Sequence, residues 1–386
     1  MNEIKIKISV TTGTRAEYGL LRPILHEISK NSKLELYLIV TGMHLSKKHG
    51  YTINEIKNDG FEIYKKFSMI PKGNSSFYMA QSLGLGILEF SKIFKKLQPD
   101  INLILGDRDE AFASALAASH MNIPNAHIHG GDKTKAGIDE YIRHAITKIS
   151  NIHFVATQKS KNRILRMGEN PKYVLFTGSP GIDEIKKHKI TNKIKLEEKY
   201  KMKFSGDEIL LVFHPVTTQT KSVKKQIENI LKVLVRFNKT IIIIKPNSDS
   251  GSDIILKTLD FYEKKYSFVK IFPNLPRQDY LGLLKICKIL VGNSSSGMIE
   301  ATYFKIPVIN IGIRQSGRET GKNVIHVNDV SELKIYNAVQ KGLKISKNNL
   351  RICNKLYGQG DASKKIVNFL ENVTINDQLI QKQIEY

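Results

Sequence analysis

At 386 residues the chain exceeds what one ordinary core accommodates and suits two α/β domains. Apolar residues make up 41% of it, but no apolar run approaches the roughly 20 residues that span a bilayer, and Lys5 and Lys7 break the first apolar segment. A membrane span and a signal peptide are thus excluded as readings, and a cytoplasmic protein without a membrane partner is expected. The formal charge of +24 attracts polyanions, yet the lysines are scattered singly and in pairs, with no basic block and no interleaved aromatics. That distribution reads as a whole-chain bias on solvated helix faces. No specific nucleic-acid partner is expected, and a polyanion-binding module is the rival from another class.

Short β-branched runs alternate with amphipathic stretches along the whole chain, the pattern of βα units around parallel sheets. The first unit is a strand over Ile4 to Thr12, a turn at Gly13-Thr14-Arg15, and a helix with Leu20, Leu21, Ile24, Leu25 and Ile28 on one face. Strands follow at Leu34 to Thr41, Ile101 to Leu105, Asn125 to Ile128, Ile152 to Ala156 and Val174 to Phe176, giving one Rossmann-like sheet. The polar, Lys-rich stretch from Glu184 to Ser205 marks the domain junction at or just before it. A second series runs through Ile209 to Phe213, Thr240 to Ile244, Val269 to Phe272, Ile289 to Val291 and Val308 to Ile311, and the polar tail after Asn372 reads as disordered. The expected fold class is α/β, two Rossmann-like domains facing a cleft: residues 1–180 carry the catalytic acids, 181–360 bind the nucleotide, and 361–386 form a helix and tail packing back on the first domain. Cys287 and Cys353 lack CxxC spacing and a His/Cys cluster, so two free thiols are expected and no zinc site.

Open α/β sheets place their functional groups after the strands, which shortens the search. After the first strand, Gly13-Thr14-Arg15-Ala16-Glu17-Tyr18 is either an anion-holding turn into a helix N-terminus, with Arg15 beside its N–H groups, or a simple βα turn. Asp107 directly follows Gly106 at a strand end, the position for a general acid or base, whereas Asp109 suits a helix cap. Next come His127-Ile128-His129-Gly130-Gly131-Asp132, then Asp139-Glu140 and Arg143-His144. Period two puts His127 and His129 on one face, where a core role, a direct role and a metal site compete. In the second half His214 closes a strand and suits proton transfer or contact with a diphosphate, and Lys245-Pro246-Asn247 repeats the pattern. Gly292-Asn293-Ser294-Ser295-Ser296-Gly297 before a helix reads as a phosphate cradle, with a Ser-rich cap as the plain alternative, and Glu300 is placed to accept from ribose hydroxyls. The loop from Gly312 to Gly321 offers Arg314 and Arg318.

Taken together, Thr12-Gly13-Thr14-Arg15-Ala16-Glu17-Tyr18, Thr41-Gly42-Met43-His44, Gly106-Asp107-Arg108, Ile142-Arg143-His144-Ala145-Ile146-Thr147-Lys148, His214-Pro215-Val216-Thr217-Thr218, Gly292-Asn293-Ser294-Ser295-Ser296-Gly297 and Gly317-Arg318-Glu319-Thr320-Gly321 resemble the hydrolysing UDP-N-acetylglucosamine 2-epimerase family of sialic acid and nonulosonate synthesis. The resemblance implies a glycosyltransferase-B-like fold, a homodimer or homotetramer, and no metal or cofactor. It further implies release of N-acetylmannosamine and UDP through a 2-acetamidoglucal, with UDP-N,N'-diacetylbacillosamine as the alternative substrate. Carried over by position, Arg15, Arg108, His214, Asn247, Ser294, Ser295 and Arg314 would meet the diphosphate region, Glu300 the ribose, and Phe272 the uracil. Asp107, Asp139 and His214 are the implied catalytic groups, with Asp132 and Glu140 in reserve. Many members carry Glu where this chain has His129, so the group that serves C2 stays open among these residues.

Overall fold

The computed structural model describes residues 5–47, 50–69, 73, 76–134, 138–187, 190–246, 251–272, 275–346, 350 and 356–384. They form two α/β units. The first comprises Met1–Asp132, Asp139–Lys187 and Leu356–Tyr386, the second Lys133–Ile138 and His188–Lys355.

Unit 1 is a seven-stranded parallel sheet built from β1 (Ile6–Thr12), β2 (Leu34–Val40), β3 (Ile63–Lys66), β4 (Ile101–Leu105), β5 (Asn125–Ile128), β6 (Ile152–Val155) and β7 (Val174–Phe176), in the order β3-β2-β1-β4-β5-β6-β7. Helices cover both faces, so the central strands are buried, polar residues such as Ser9, Asn102, Asn125 and His127 included. The helix Arg15–Lys30 lays Leu21, Ile24, Leu25 and Ile28 onto Ile8, Val10 and Leu38. Ile366, Val367 and Leu370 of the helix Ala362–Leu370 join the same core, which ties the chain's last segment to the first unit. Asp183 fixes that helix start from another helix: it accepts from the N–H of Ala362 at 3.0 Å and from the N–H and hydroxyl of Ser363 at 2.6 Å each.

Unit 2 repeats the design with β8 (Ile209–Val212), β9 (Ile241–Ile244), β10 (Val269–Phe272), β11 (Ile289–Gly292), β12 (Val308–Ile311) and β13 (Val324–Val327), all parallel, in the order β10-β9-β8-β11-β12-β13. Each sheet reverses its winding once, between β1 and β4 in unit 1 and between β8 and β11 in unit 2. The crevice at such a reversal is where doubly wound sheets bind ligands.

Two sequence expectations change. Strands β3 and β13 escape the apolar-run reading because they are short edge strands carrying Lys65, Lys66 and His326. The tail after Asn372 is not featureless: a helix turn over Asp377–Ile380 buries Leu379, whose carbonyl accepts from Asn151 Nδ2 at 2.6 Å. The stretch around residue 190 is helical on both sides, over Pro180–Lys187 and Lys193–Tyr200. Cys287 is a buried free thiol, whereas Cys353 lies outside the described residues. No described helix is long and apolar enough to cross a membrane.

Candidate active site

At the β1/β4 reversal the Gly13-Thr14 turn leads into a capping box. Thr14 Oγ1 accepts from the Glu17 N–H at 3.3 Å, while Glu17 Oε2 accepts from the N–H groups of Gly13 and Thr14 at 3.1 and 2.9 Å. The N–H groups of Gly13 and Thr14 are thus taken by a carboxylate of the same helix. Arg15 opens the helix, with its Nε on Glu55 Oε1 at 2.6 Å. Arg108 Nε donates to Glu110 Oε2 at 3.2 Å. Glu110 fills the space beside Gly42, where φ is +59° and an added Cβ would come within 2.3 Å of Glu110 Oε1. Burial, then the charge of Glu110, raises the Glu17 carboxyl to about 7. His44, held between Thr12 Oγ1 at 3.0 Å and Thr52 Oγ1 at 2.8 Å, is pushed down to about 4 by burial and is neutral.

Asp107, following β4, meets Arg143, a residue named in the sequence without a role. Arg143 is 2% exposed and donates through Nε to Asp107 Oδ2 at 2.9 Å, with a second bond from Nη2 to the same oxygen. Its Nη1 reaches Glu140 Oε2 at 2.7 Å and the carbonyl of Asp132 at 3.1 Å. Burial opposes its charge, but Asp107, Asp132 and Glu140 outweigh that cost and its pKa rises. Glu140 also meets His144 Nε2 at 3.1 Å. Asp139 begins the same helix, Asp139–Ile149, and is half-buried. One buried guanidinium therefore binds together Asp107, Glu140 and the turn at Asp132, three of the groups singled out in the sequence.

The two histidines part company, contrary to the shared face expected of them. His127 lies in β5 and bonds the Gly106 carbonyl through Nε2 at 2.7 Å, with burial pushing it down to about 3. His129 lies past the strand in the left-handed region at φ +65°, which ends the period of two. Its Nε2 sits 3.0 Å from Ser179 Oγ and its Nδ1 3.5 Å from Asp132 Oδ2. Ser179 Oγ also accepts from the Gly181 N–H at 3.3 Å. Asp132 Oδ1 in turn accepts from Ser160 Oγ at 2.8 Å. Both ring nitrogens are thereby engaged inside the unit, which suits holding the turn better than touching a sugar.

In unit 2 the β8/β11 reversal brings His214 and Asn293 together. Asn293 Oδ1 accepts from the His214 N–H at 2.7 Å and its Nδ2 donates to the His214 carbonyl at 2.8 Å. Gly292 permits this approach: its φ is +136° and an added Cβ would stand 1.9 Å from the Val212 carbonyl oxygen. The Asn293 carbonyl accepts from Arg314 Nη1 at 3.2 Å and Gln315 Nε2 at 3.1 Å, so the loop after β12 is fastened to the same point. Ser294 and Ser295 are half-buried, but no long helix follows them: Ser295–Gly297 is a 3-10 turn and Glu300–Tyr303 a single helical turn. The helix expected after the Ser-rich turn is thus a single turn. Glu300 is 3% exposed and paired with Arg277. Phe272 ends β10 and meets Tyr200 edge-on at 5.1 Å, while Asn247 lies outside the described residues.

Comparison with known proteins adds a family. A model described as UDP-N-acetylglucosamine 2-epimerase matches residues 26–371. The chain is 37% identical to a UDP-N,N'-diacetylbacillosamine 2-epimerase (hydrolyzing) of Legionella pneumophila, over 97% of this chain and 98% of the relative. It is 40% identical to a GDP/UDP-N,N'-diacetylbacillosamine 2-epimerase (hydrolyzing) of Campylobacter jejuni, over 85% and 86%. It is 36% identical to a UDP-N-acetylglucosamine 2-epimerase of Neisseria meningitidis, over 88% of each. Among solved structures, a UDP-GlcNAc 2-epimerase from Neisseria meningitidis bound to UDP-GlcNAc superposes with a TM-score of 0.80 at 21% identity, covering 95% of this chain and 99% of that one. At that identity the likeness speaks for the fold alone.

Proposed function

The chain belongs to the UDP-N-acetylglucosamine 2-epimerase family, and on that footing we propose that it is a hydrolysing 2-epimerase whose substrate is UDP-N,N'-diacetylbacillosamine. The geometric observation that carries an acid–base reading is the buried Arg143 shared by Asp107 and Glu140. For the substrate, support comes from the 37% and 40% identities to relatives named for the 2,4-diacetamido sugar. UDP-N-acetylglucosamine is the second reading, favoured by the 36% identity to the Neisseria relative.

In this proposal a carboxylate takes the C2 proton as the C1–O bond to UDP breaks, leaving a C1=C2 double bond in a 2-acetamidoglucal. Water adds at C1, and a proton delivered to C2 from the opposite face gives the epimerised free sugar and UDP. Asp107 and Asp139 divide the acid and base work, Arg143 aligns Asp107, and Glu140 stands in reserve. Unit 2 supplies nucleotide binding through His214, Ser294, Ser295, Arg314 and Glu300, with Phe272 near the base and His214 assisting the leaving diphosphate. Arg15 and Arg108 keep their proposed diphosphate contacts, although each already serves a carboxylate, Glu55 and Glu110. His129 and Asp132 move from acid–base candidates to supports of the turn that meets Arg143.

Proton NMR in deuterated water with each UDP-sugar in turn tests the proposal. The expected products are free 2,4-diacetamido-2,4,6-trideoxymannose carrying deuterium at C2, and UDP, formed faster than N-acetylmannosamine from UDP-N-acetylglucosamine. A UDP-linked epimer as the only product would overturn the hydrolysing reading, and the reverse preference would overturn the substrate.

A further inference from the structure

Ser179 makes one contact more than a helix cap needs. It precedes the helix Pro180–Lys187, and its hydroxyl accepts from the Gly181 N–H at 3.3 Å, as a capping serine does. The same buried hydroxyl lies 3.0 Å from His129 Nε2, a ring that reaches it from 50 positions earlier in the chain. The backbone behind Ser179 is fixed separately. Its N–H donates to the Tyr357 carbonyl at 2.8 Å. Gly178 and Gly358 meet there backbone to backbone: their φ values are +86° and +92°, and a Cβ added to either would stand 2.7 or 2.8 Å from the other's Cα. Asp183 closes the same crossing through its bonds to the N–H groups of Ala362 and Ser363. The hydroxyl is therefore offered to His129 from a tightly closed piece of backbone.

From His129 the contacts run toward the proposed acid–base group. The histidine holds a left-handed backbone at φ +65°, a conformation with a cost that its surroundings must offset. Its Nδ1 lies 3.5 Å from Asp132 Oδ2, and Asp132 Oδ1 accepts from Ser160 Oγ at 2.8 Å. Two guanidinium groups then grip the backbone of the turn: Arg163 donates to the Gly131 carbonyl, and Arg143 Nη1 to the Asp132 carbonyl at 3.1 Å. Arg143 also holds Asp107. A shift of the turn thus displaces one of the acceptors that fix Arg143, and with it the carboxylate that Arg143 aligns.

We propose that Ser179 is a positioning residue for the epimerisation: by fixing the His129 ring it sets the turn at Asp132 and, through Arg143, the angle at which Asp107 meets the sugar. This rests on the reading that Asp107 serves the reaction. Ser179 itself needs no contact with the substrate. The competing account is a plain helix cap, which would stabilise the fold and leave the chemistry alone.

A double-mutant cycle on the rate of C2 deuteration in the full-length protein separates the two. Ser179→Ala should lower kcat about five- to tenfold, the size of one hydrogen bond lost from the alignment, with KM changed less than about twofold. His129→Asn tolerates the left-handed backbone and keeps a polar atom near the Nδ1 position, but stops short of Ser179 and so cuts the same link. In that background Ser179→Ala should cost less than about twofold more. Ser179→Gly, which weakens a cap little, reads the same link if the alanine variant folds poorly. A Ser179 variant that unfolds at lower urea yet turns over within about twofold of wild type would show a cap alone and overturn the proposal. Losses that multiply in the double variant would overturn it as well. A wild type that exchanges C2 hydrogen in neither UDP-sugar would instead remove the epimerase reading, and this proposal with it.

Discussion

Arg143→Lys is the most informative single change, because it keeps the charge and removes the fork. The wild-type guanidinium makes two bonds to Asp107, one to Glu140 and one to the Asp132 carbonyl from a site that is 2% exposed. An ammonium is a compact point charge on a flexible stem and cannot span those acceptors together. If two of the four bonds are lost, at roughly 1.5–3 kcal/mol for each bond to a charged group, partly recovered by the retained charge, the variant should lose about 2–4 kcal/mol of stability. Urea titration by circular dichroism measures that loss. Activity should fall further than stability suggests, since Asp107 would no longer be held at a fixed angle. A misplaced base forfeits much of the roughly 10²–10⁴-fold that general acid–base catalysis supplies. The assay is the initial rate of C2 deuteration, at a temperature where both proteins are folded. KM should change little, because the nucleotide is assigned to other residues. Turnover within threefold of wild type would refute the role given to Arg143, whatever the stability change.

Asp107→Asn should lower kcat at least about 100-fold while leaving UDP affinity unchanged, and near-wild-type turnover would remove Asp107 from the mechanism. For Glu17, whose carboxyl is raised by burial and by Glu110 to about 7, the folded protein binds the proton more tightly than the unfolded chain does. Its stabilising contribution is therefore complete below the ordinary value of 4.5 and is lost as pH rises through about 7. Relative to Glu17→Gln, the wild type should lose up to about 1.4 kcal/mol per pH unit across that window, read from urea midpoints at a series of pH values, and parallel curves would contradict the burial argument. Gly292→Ala should cost at least about 3 kcal/mol, because the new Cβ would meet backbone at the β8–β11 junction rather than a movable side chain, and a melting temperature equal to wild type would refute it.

The parts of the fold legible in the sequence are those written in apolar runs. The central strands β4, β8, β9 and β11 are buried and read as runs dominated by Ile, Leu and Val, and the strand ends lead to Asp107, His214 and Asn293. Edge strands β3 and β13 are four residues each and interrupted by Lys65, Lys66 and His326. The capping box at Thr14 and Glu17 was readable from its Thr-x-x-Glu spacing, and attention to it would have withdrawn the Gly13-Thr14 N–H groups from the list of anion sites.

Arg143 is visible in the sequence, but its role is not, for a different reason. Its spacing from Glu140 signals an ordinary pairing on one helix face, and such pairs are usually solvated and weak. What makes it a site residue is Asp107, 36 positions away, and that neighbour exists only because β4 and β5 lie side by side in the sheet. The same dependence governs His129. Read along the chain it is one more histidine after a strand; in the fold its left-handed backbone turns the ring toward Ser179 and Asp132, and the carbonyl of Asp132 reaches Arg143. In the proposed mechanism His129 supports this turn, and Asp107 and Asp139 are assigned the proton transfers. A variant series that tolerates His129→Asn, which retains polar contacts, better than Asp107→Asn would follow from that division of labour, and equal losses of kcat at both positions would return His129 to the chemistry.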